Sequence, residues 1–173
     1  MATPEGSVDD IFLPGGRLRL DCFSDESLRA MRESLRLARE TRWDSIRSPH
    51  VFMGLLAVPD ASVRNWGERL QADLSMLLDQ FQELFHQEQG EEEAVLILNR
   101  EFLSDNVIGL LRDAHHRAVG HQRCKITPMD LLISLLTARQ SIVAECFQRI
   151  GVTAAKLTEL AVMAEQTSRT EKN

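Results

Sequence analysis

The feature that most constrains this chain of 173 residues is a stretch that occurs twice, 80 positions apart. The first copy covers residues 24–81 and the second covers 104–161, and the two align without a gap. The period is longer than the units of typical solenoids, so it predicts a duplicated unit packed as a pseudo-symmetric pair. Identical pairs include Ser24/Ser104, Asp25/Asp105, Ala38/Ala118, Ile46/Ile126, Leu55/Leu135, Leu56/Leu136, Val63/Val143, Arg69/Arg149 and Leu77/Leu157.

Each copy has the apolar spacing and capping residues of four helices. Ser24 and Ser104 are good N-caps, and acidic residues follow them where the helix dipole is positive. Proline at a first helical position starts the second helix of each copy, with Ser48 as the predicted cap in copy one. These second helices are apolar nearly all round, which is typical of the centre of a core. The predicted helices cover 25–42, 49–58, 61–70, 74–88 after the cap Asp73, 105–118 after the cap Ser104, 129–137, 141–150 and 154–166, with Gly151 after the seventh.

Short extended segments precede both copies. Residues 11–13 and 17–21 flank a Pro-Gly-Gly turn and predict a small hairpin, and residues 94–98 predict a strand. A twofold axis would bring Leu18 and Leu98 together antiparallel. The predicted fold is therefore all-α, a duplicated four-helix unit with a small β element. Its parts are an N-terminal extension (1–22), repeat one (23–86), a connector (87–102), repeat two (103–166) and a polar tail (167–173).

Composition narrows the functional classes. A net charge of −6 and a pI near 5.4 disfavour broad attraction to nucleic acid or an anionic membrane. No apolar run is long enough for a membrane span, and the N-terminus does not have the pattern of a signal peptide. The three cysteines lack zinc-site spacing, which predicts a reduced, cytoplasmic protein.

The doubled pattern resembles the N-terminal domain of Clp-type AAA+ unfoldases, the double Clp repeat. A capped first helix with alanine near its end is followed by Ile-x-x-x-His/Asp and a Leu-Leu pair. The positions that carry the resemblance are Ser24, Ala38, Ile46, His50, Leu55 and Leu56, then Ser104, Ala118, Ile126, Asp130, Leu135 and Leu136, and finally Ile150, Gly151 and Val152.

The resemblance implies two four-helix repeats about a pseudo-twofold axis and a domain that recognises substrates or adaptors. The sequence contains no phosphate-binding loop, so we expect a non-catalytic module without a cofactor. Expected partners are a client peptide, an adaptor, or Clp ATPase and peptidase subunits, and a homodimer is compatible with the sequence. The alternative is a self-assembling structural or accessory subunit without client binding.

Some members of this family bind phosphoarginine-marked clients. The resemblance places hydroxyl residues at Ser24 and Ser104, but the positions of the ligand-binding glutamates hold Pro49 and Met129. We therefore expect weak or no phosphoarginine binding, and a more apolar surface suited to a client helix. On that surface Met129→Glu should weaken client capture without unfolding. The predicted partner-binding residues are Phe23, Ser24, Pro49, His50, Leu103, Ser104, Met129 and Asp130.

A histidine-rich stretch has two interpretations. His115 takes the place of the core residue Leu35 in the other copy, which favours a packed histidine over a metal site. The adjacent His115 and His116 face different sides of a helix, unlike the i, i+4 pairs of metal sites. An enzyme site built from His121 and Cys124 would need an orienting group that the sequence does not supply.

Two further patterns concern the surface. We predict Trp66 in the core, and Trp43 as either a partly buried residue or an exposed binding anchor. The first helix carries an arginine stripe, which is either a solvated face paired with Glu33 and Glu40 or a docking face for an acidic segment. The stripe consists of Arg29, Arg32, Arg36, Arg39 and Arg42.

Overall fold

The computed structural model describes residues 11–88 and 96–172, with side chains described to residue 168. The predicted all-α fold is confirmed: the described part contains eight α-helices, and its β structure is limited to isolated bridges. Short 3-10 helices, Leu20–Cys22 and Arg100–Phe102, precede the two repeats. The helices are α1 (Asp25–Glu40), α2 (Ser48–Ala57), α3 (Ala61–Leu70), α4 (Leu74–Phe85), α5 (Asp105–Gly120), α6 (Pro128–Thr137), α7 (Ile142–Gln148) and α8 (Ala154–Lys172).

Most predicted helix ends lie close to the observed ones, and three differ. α8 continues to Lys172 instead of ending near Gln166, so the predicted polar tail is largely helical. α4 ends at Phe85, before the predicted 88. The predicted cap Ser48 lies inside α2, because the His50 ring accepts a hydrogen bond from the Arg47 backbone N–H at 2.9 Å and caps the helix one residue earlier.

The two central helices form the middle of the core, as predicted. In α2, residues 49–56 are all buried, and in α6, residues 128–136 are all buried. α2 packs against α1 and α4, while α6 packs against α5 and α8. Trp66 of α3 is fully buried beside Phe52, and its indole N–H donates to the Leu157 carbonyl at 3.1 Å, which ties the first repeat to the last helix.

Backbone pairing across the pseudo-twofold axis joins the repeats. The Ser24 N–H donates to the Ile126 carbonyl at 2.9 Å, and the equivalent Ser104 N–H donates to the Ile46 carbonyl at 3.0 Å. Each pair lies beside a parallel bridge, Phe23 with Ile126 and Leu103 with Ile46. The start of each first helix is therefore held against the loop before the central helix of the other repeat.

The extension and the connector pair antiparallel, as isolated bridges and not as strands. Phe12 bridges Leu18, and Arg17 bridges Asn99. The Leu18 N–H donates to the Leu98 carbonyl at 3.2 Å. The predicted strand at 94–98 is not formed in its described part, 96–98, and its first two positions lie outside the described residues. Ile11, Phe12 and Leu18 are buried, so the extension contributes to the core.

No helix in the described ranges is long and apolar enough to span a bilayer.

Candidate functional site

The structure places the predicted partner-binding residues mostly inside the protein. Ser24 and Ser104 remain partly exposed, and each caps its helix by accepting a hydrogen bond from a backbone N–H at 3.2 Å. The other six side chains are buried, so they do not form the exposed apolar groove that the sequence predicts. These six are Phe23, Pro49, His50, Leu103, Met129 and Asp130.

A cleft of about 170 Å³ nevertheless opens where the two repeats meet. The starts of α1, α3 and α6 converge on it, bringing Glu26, Asp60 and Met129 together. Arg123 and Glu165 complete its wall. We call it the first cleft. Three helix N-termini give it a positive backbone field, and its carboxylates give it negative side-chain charge.

A second cleft, of about 300 Å³, lies at the pseudo-symmetric position. The starts of α5, α2 and α7 converge on it in the same way. Its lining includes Asn106 and Gln140, which are the counterparts of Glu26 and Asp60 at the 80-residue spacing. Asp105, Asp113 and Arg139 supply its charges. The protein thus carries twin clefts with different polar linings.

The sequence reasoning missed the carboxylates of the first cleft. Glu26, Asp60 and Glu165 come from three different helices, and no spacing along the chain connects them. Met129 lines the same cleft at the position where the resemblance implies a glutamate. The sequence predicts a first cleft without a carboxylate, but the structure places three carboxylates there. Weak phosphoarginine binding stays a prediction that rests only on positions 49 and 129.

An ionic network supports the first cleft from behind. Asp130 is fully buried and accepts hydrogen bonds from Arg117 and Arg123, each at 2.8 Å. Glu165 accepts two further bonds from Arg117, at 2.8 and 2.9 Å. Asp130 also accepts from the Thr127 backbone N–H at 2.9 Å and so closes the capping box of α6. The network fixes α5, α6 and α8 around the cleft.

The equivalent positions in the first repeat hold an aromatic arrangement. His50 replaces Asp130 and Trp43 replaces Arg123, with ring centroids 5.6 Å apart in an edge geometry. The Trp43 indole N–H donates to the carbonyl of Phe85, the counterpart of Glu165, at 2.6 Å. Trp43 is partly buried, which favours the first of its two interpretations. The start of the central helix is therefore held by an ionic network in the second repeat and by an aromatic contact in the first.

The buried groups of this region have shifted pKa values. Burial alone would raise the pKa of the Asp130 carboxyl, but the hydrogen bonds from Arg123, Thr127 and Arg117 outweigh it and the net pKa is lowered. Burial, with a smaller contribution from the Arg47 charge, lowers the pKa of His50 to about 4. Asp130 is therefore held charged and His50 is held neutral near pH 7.

The remaining sequence candidates have clear places. His115 is buried, which favours the packed histidine, and no group of three or more His, Cys, Asp or Glu in the described part is arranged to hold a metal ion. Cys124 is exposed. In the arginine stripe, Arg36 pairs with Glu33 at 2.8 Å and with Glu40 at 2.6 Å, as the solvated-face interpretation predicts.

Comparison with solved structures shows that this fold is that of Clp N-terminal domains. The N-terminal domain of ClpD, a caseinolytic protease associated chaperone from Arabidopsis thaliana, has a TM-score of 0.65 and 16% identity over 85% of this chain and 96% of that chain. The Hsp104 N-terminal domain from Candida albicans has a TM-score of 0.65 and 14% identity, covering 81% and 89% of the two chains.

The N-terminal domain of the ClpV1 ATPase from E. coli has a TM-score of 0.61 and 15% identity, over 85% of this chain and 88% of that chain. No family model matches the sequence, and the comparison with curated proteins finds no match. At these identities the likeness concerns the fold.

Proposed function

We propose that the protein is a non-catalytic recognition module that works with Clp-type ATP-dependent proteolysis or disaggregation, and that client or adaptor segments contact its twin clefts. The observation that carries the proposal is the convergence of three helix starts on each cleft, at equivalent places about the pseudo-twofold axis. The likeness of the fold to the N-terminal domains of ClpD and Hsp104 supports the link to Clp machines.

The lining of the clefts suits peptide contact. Backbone N–H groups at helix starts can bind main-chain carbonyls or acidic groups of a peptide. Glu26 is exposed and makes no ion pair in the described part of the chain, so its carboxylate is available to a basic client residue. Asp105 and Asp113 offer the same in the second cleft. The first cleft is additionally held in shape by the Asp130 network.

The direct test measures binding of the purified chain to a purified Clp-type ATPase, with and without its peptidase, by fluorescence anisotropy. We expect saturable binding, or a change in the set of clients that the ATPase degrades or disaggregates. If the chain instead forms stable oligomers in analytical ultracentrifugation and binds no Clp component, the accessory-subunit alternative is correct and client recognition is wrong.

The clefts are tested by introducing an arginine at the same position in each repeat. Glu26→Arg alters the first cleft, and Asn106→Arg alters the second at the counterpart position. Glu68→Arg, an exposed residue that lines neither cleft, is the control. We expect the first two variants to weaken client binding about tenfold, and Glu68→Arg to bind as the parent does. Glu26→Arg removes a charged contact, whereas Asn106→Arg places a positive charge beside Asp105 and Asp113. If all three variants bind the client equally well, the client does not contact the clefts and binds another surface.

We further propose that the chain has neither ATPase nor peptidase activity of its own. The sequence lacks a phosphate-binding loop. Among the described residues Thr41 and His50 form a hydroxyl–imidazole contact, but it is buried, and the His50 Nδ1 accepts the Arg47 N–H, so Nε2 carries the proton and cannot act as a base. If ATPase or peptidase activity follows the chain through two independent purification steps, this proposal is wrong.

A further inference from the structure

A cavity on the side of α5 has no role in the recognition clefts. It measures about 370 Å³ and is lined by His115, His116, Val119 and Gly120, which we call the His115 pocket. None of these residues lines either cleft. His116, Val119 and Gly120 are exposed at its mouth, whereas His115 is 8% exposed and lies at its inner side.

His115 is buried with an unmet hydrogen-bonding need. Its Nδ1 atom is sealed from solvent and has no partner among the described residues. Buried polar atoms are nearly always satisfied, and a buried N–H without an acceptor is rarer than a buried lone pair without a donor. Because Nδ1 has no acceptor to donate to, the favoured neutral tautomer carries its proton on Nε2. The imidazole therefore has an N–H donor for a ligand that can accept a hydrogen bond.

The other repeat shows that this polarity is not required by the fold. The counterpart of His115 is Leu35, which lines an apolar groove formed with Leu18, Leu20 and residues 96–98. At His115 the described residues provide an open pocket and a second imidazole instead.

The geometry of the two imidazoles disfavours a single metal ion. The ring centroids of His115 and His116 are 6.5 Å apart, with planes tilted by 37°. Two imidazoles bound to one tetrahedral Zn²⁺ would have centroids only about 5 Å apart, because each Zn–N bond is about 2.1 Å. A carboxylate that accepts one hydrogen bond on each oxygen bridges rings about 6–8 Å apart.

The surroundings favour an acidic ligand with an apolar neighbour. Arg112 lies one helical turn before His115 and His116, with its guanidinium 5.8 Å from the Phe12 ring, and adds positive charge to this side of α5. Val119 is 56% exposed and forms an apolar wall of the pocket. Gly120 leaves space beside it, since a Cβ there would meet nothing within 4 Å.

We propose that the His115 pocket binds a carboxylate from an acidic segment of a partner protein, with the imidazoles of His115 and His116 as donors and Val119 contacting an adjacent apolar side chain. The site lies apart from the twin clefts and shares no lining residue with them. The inference does not depend on a Clp partner.

The experiment follows the imidazole nitrogens of the full, ¹⁵N-labelled chain by long-range ¹H–¹⁵N correlation. The probe is the blocked peptide acetyl-Leu-Glu-Leu-Glu-amide, and the matched control is acetyl-Leu-Gln-Leu-Gln-amide. We expect saturable shifts of the His115 and His116 nitrogens with the glutamate peptide and none with the glutamine peptide. Sodium acetate at equal carboxylate concentration should bind at least tenfold more weakly, because it lacks the apolar contact.

Variants complete the test. His115→Leu installs the residue of the equivalent position in the first repeat and should fold normally while weakening the probe about tenfold or more. His116→Gln gives a second, independent loss that is read at His115. His121→Gln, an exposed histidine outside the pocket, should bind as the parent does. No saturable His115 shift, equal shifts with both peptides, or full binding by His115→Leu would each overturn the proposal.

Discussion

The guanidinium of Arg123 donates a hydrogen bond at 2.8 Å to the carboxylate of Asp130, a side chain with no solvent exposure. The pair stands where the first repeat has Trp43 and His50. A buried ion pair adds little net stability, but removal of one partner strands the other charge in the protein.

Asp130→Ala should therefore destabilise the fold strongly. It leaves Arg117 and Arg123 partly buried with Glu165 as their common carboxylate, and it removes the cap of α6. We expect a loss of about 3–5 kcal/mol in the free energy of unfolding, measured by urea denaturation. The control is Glu159→Ala, which breaks an exposed pair with Lys156 at 3.9 Å and should cost less than about 1 kcal/mol. Comparable losses in the two variants would contradict a buried role for the network.

His50 should make stability depend on mild acidity. Its Nδ1 accepts from the Arg47 N–H at 2.9 Å, and its Nε2 lies 3.0 Å from the Thr41 hydroxyl, so protonation would break the α2 cap. The folded pKa is about 4 against 6.5 for the unfolded chain. Below pH 6.5 the unfolded state binds more protons, so this stability is complete above pH 6.5 and is lost as pH falls towards 4.

The measurement is the free energy of unfolding between pH 7 and 5, before most carboxylates titrate. The full contribution of His50 across its window is about 3 kcal/mol, with roughly half of it lost by pH 5. His50→Gln should be less stable at pH 7 and should show a flatter profile. A parent profile with the same slope as His50→Gln would disprove the assignment.

Two glycines should respond in opposite ways to alanine. A Cβ at Gly54 of α2 would meet the Ala30 carbonyl and the Ser34 hydroxyl of α1, so Gly54→Ala must push the two helices apart. We expect a loss of about 1–3 kcal/mol. At Gly109 of α5 a Cβ would meet nothing within 4 Å, and Gly109→Ala should gain about 0.5–1 kcal/mol from helix propensity. Thermal denaturation of both variants checks the pair, and a stable Gly54→Ala would show that the α1–α2 contact is looser than it is here.

The N-terminal extension should contribute to stability. Deleting residues 1–21 removes the buried side chains of Ile11, Phe12 and Leu18 and should cost a few kcal/mol. Ile11→Ala alone should cost about 2–5 kcal/mol, whereas Leu13→Ala, at a side chain that is 44% exposed, should cost much less. If the truncated chain melts at the parent temperature, the extension is not part of the core.

Met129→Glu should unfold or strongly destabilise the domain. The sequence analysis predicts that this variant remains folded, but the Met129 side chain is only 2% exposed. A glutamate there would be buried beside the carboxylates of the first cleft, while Arg123 is already bonded to Asp130. Met129→Leu, which keeps the volume, should cost less than about 1.5 kcal/mol. Circular dichroism and urea denaturation distinguish the two variants. If Met129→Glu is as stable as Met129→Leu, position 129 is exposed, as the predicted groove requires.

The sequence by itself determined the repeat, the helices and most of their caps. These depend on residues that are close along the chain, such as Ser24 and Ser104 before their helices or Gly151 after α7, where φ is +91°. The burial of the central helices also followed from their continuous apolar character. The antiparallel contact between the segments of Leu18 and Leu98 also followed from the sequence. A twofold axis that relates two repeats places the segments that precede them side by side in opposite directions.

Only the tertiary structure decided which polar groups meet. The first cleft brings together Glu26, Asp60 and Glu165 from parts of the chain that are far apart in sequence. The spacing of these residues along the chain does not predict that they meet. The tertiary structure also decided that Met129 is buried and that the His115 Nδ1 atom has no hydrogen-bond partner among the described residues. Periodicity assigns a side chain to a face of its own helix, but the packing of other helices determines whether that face is covered and by which atoms.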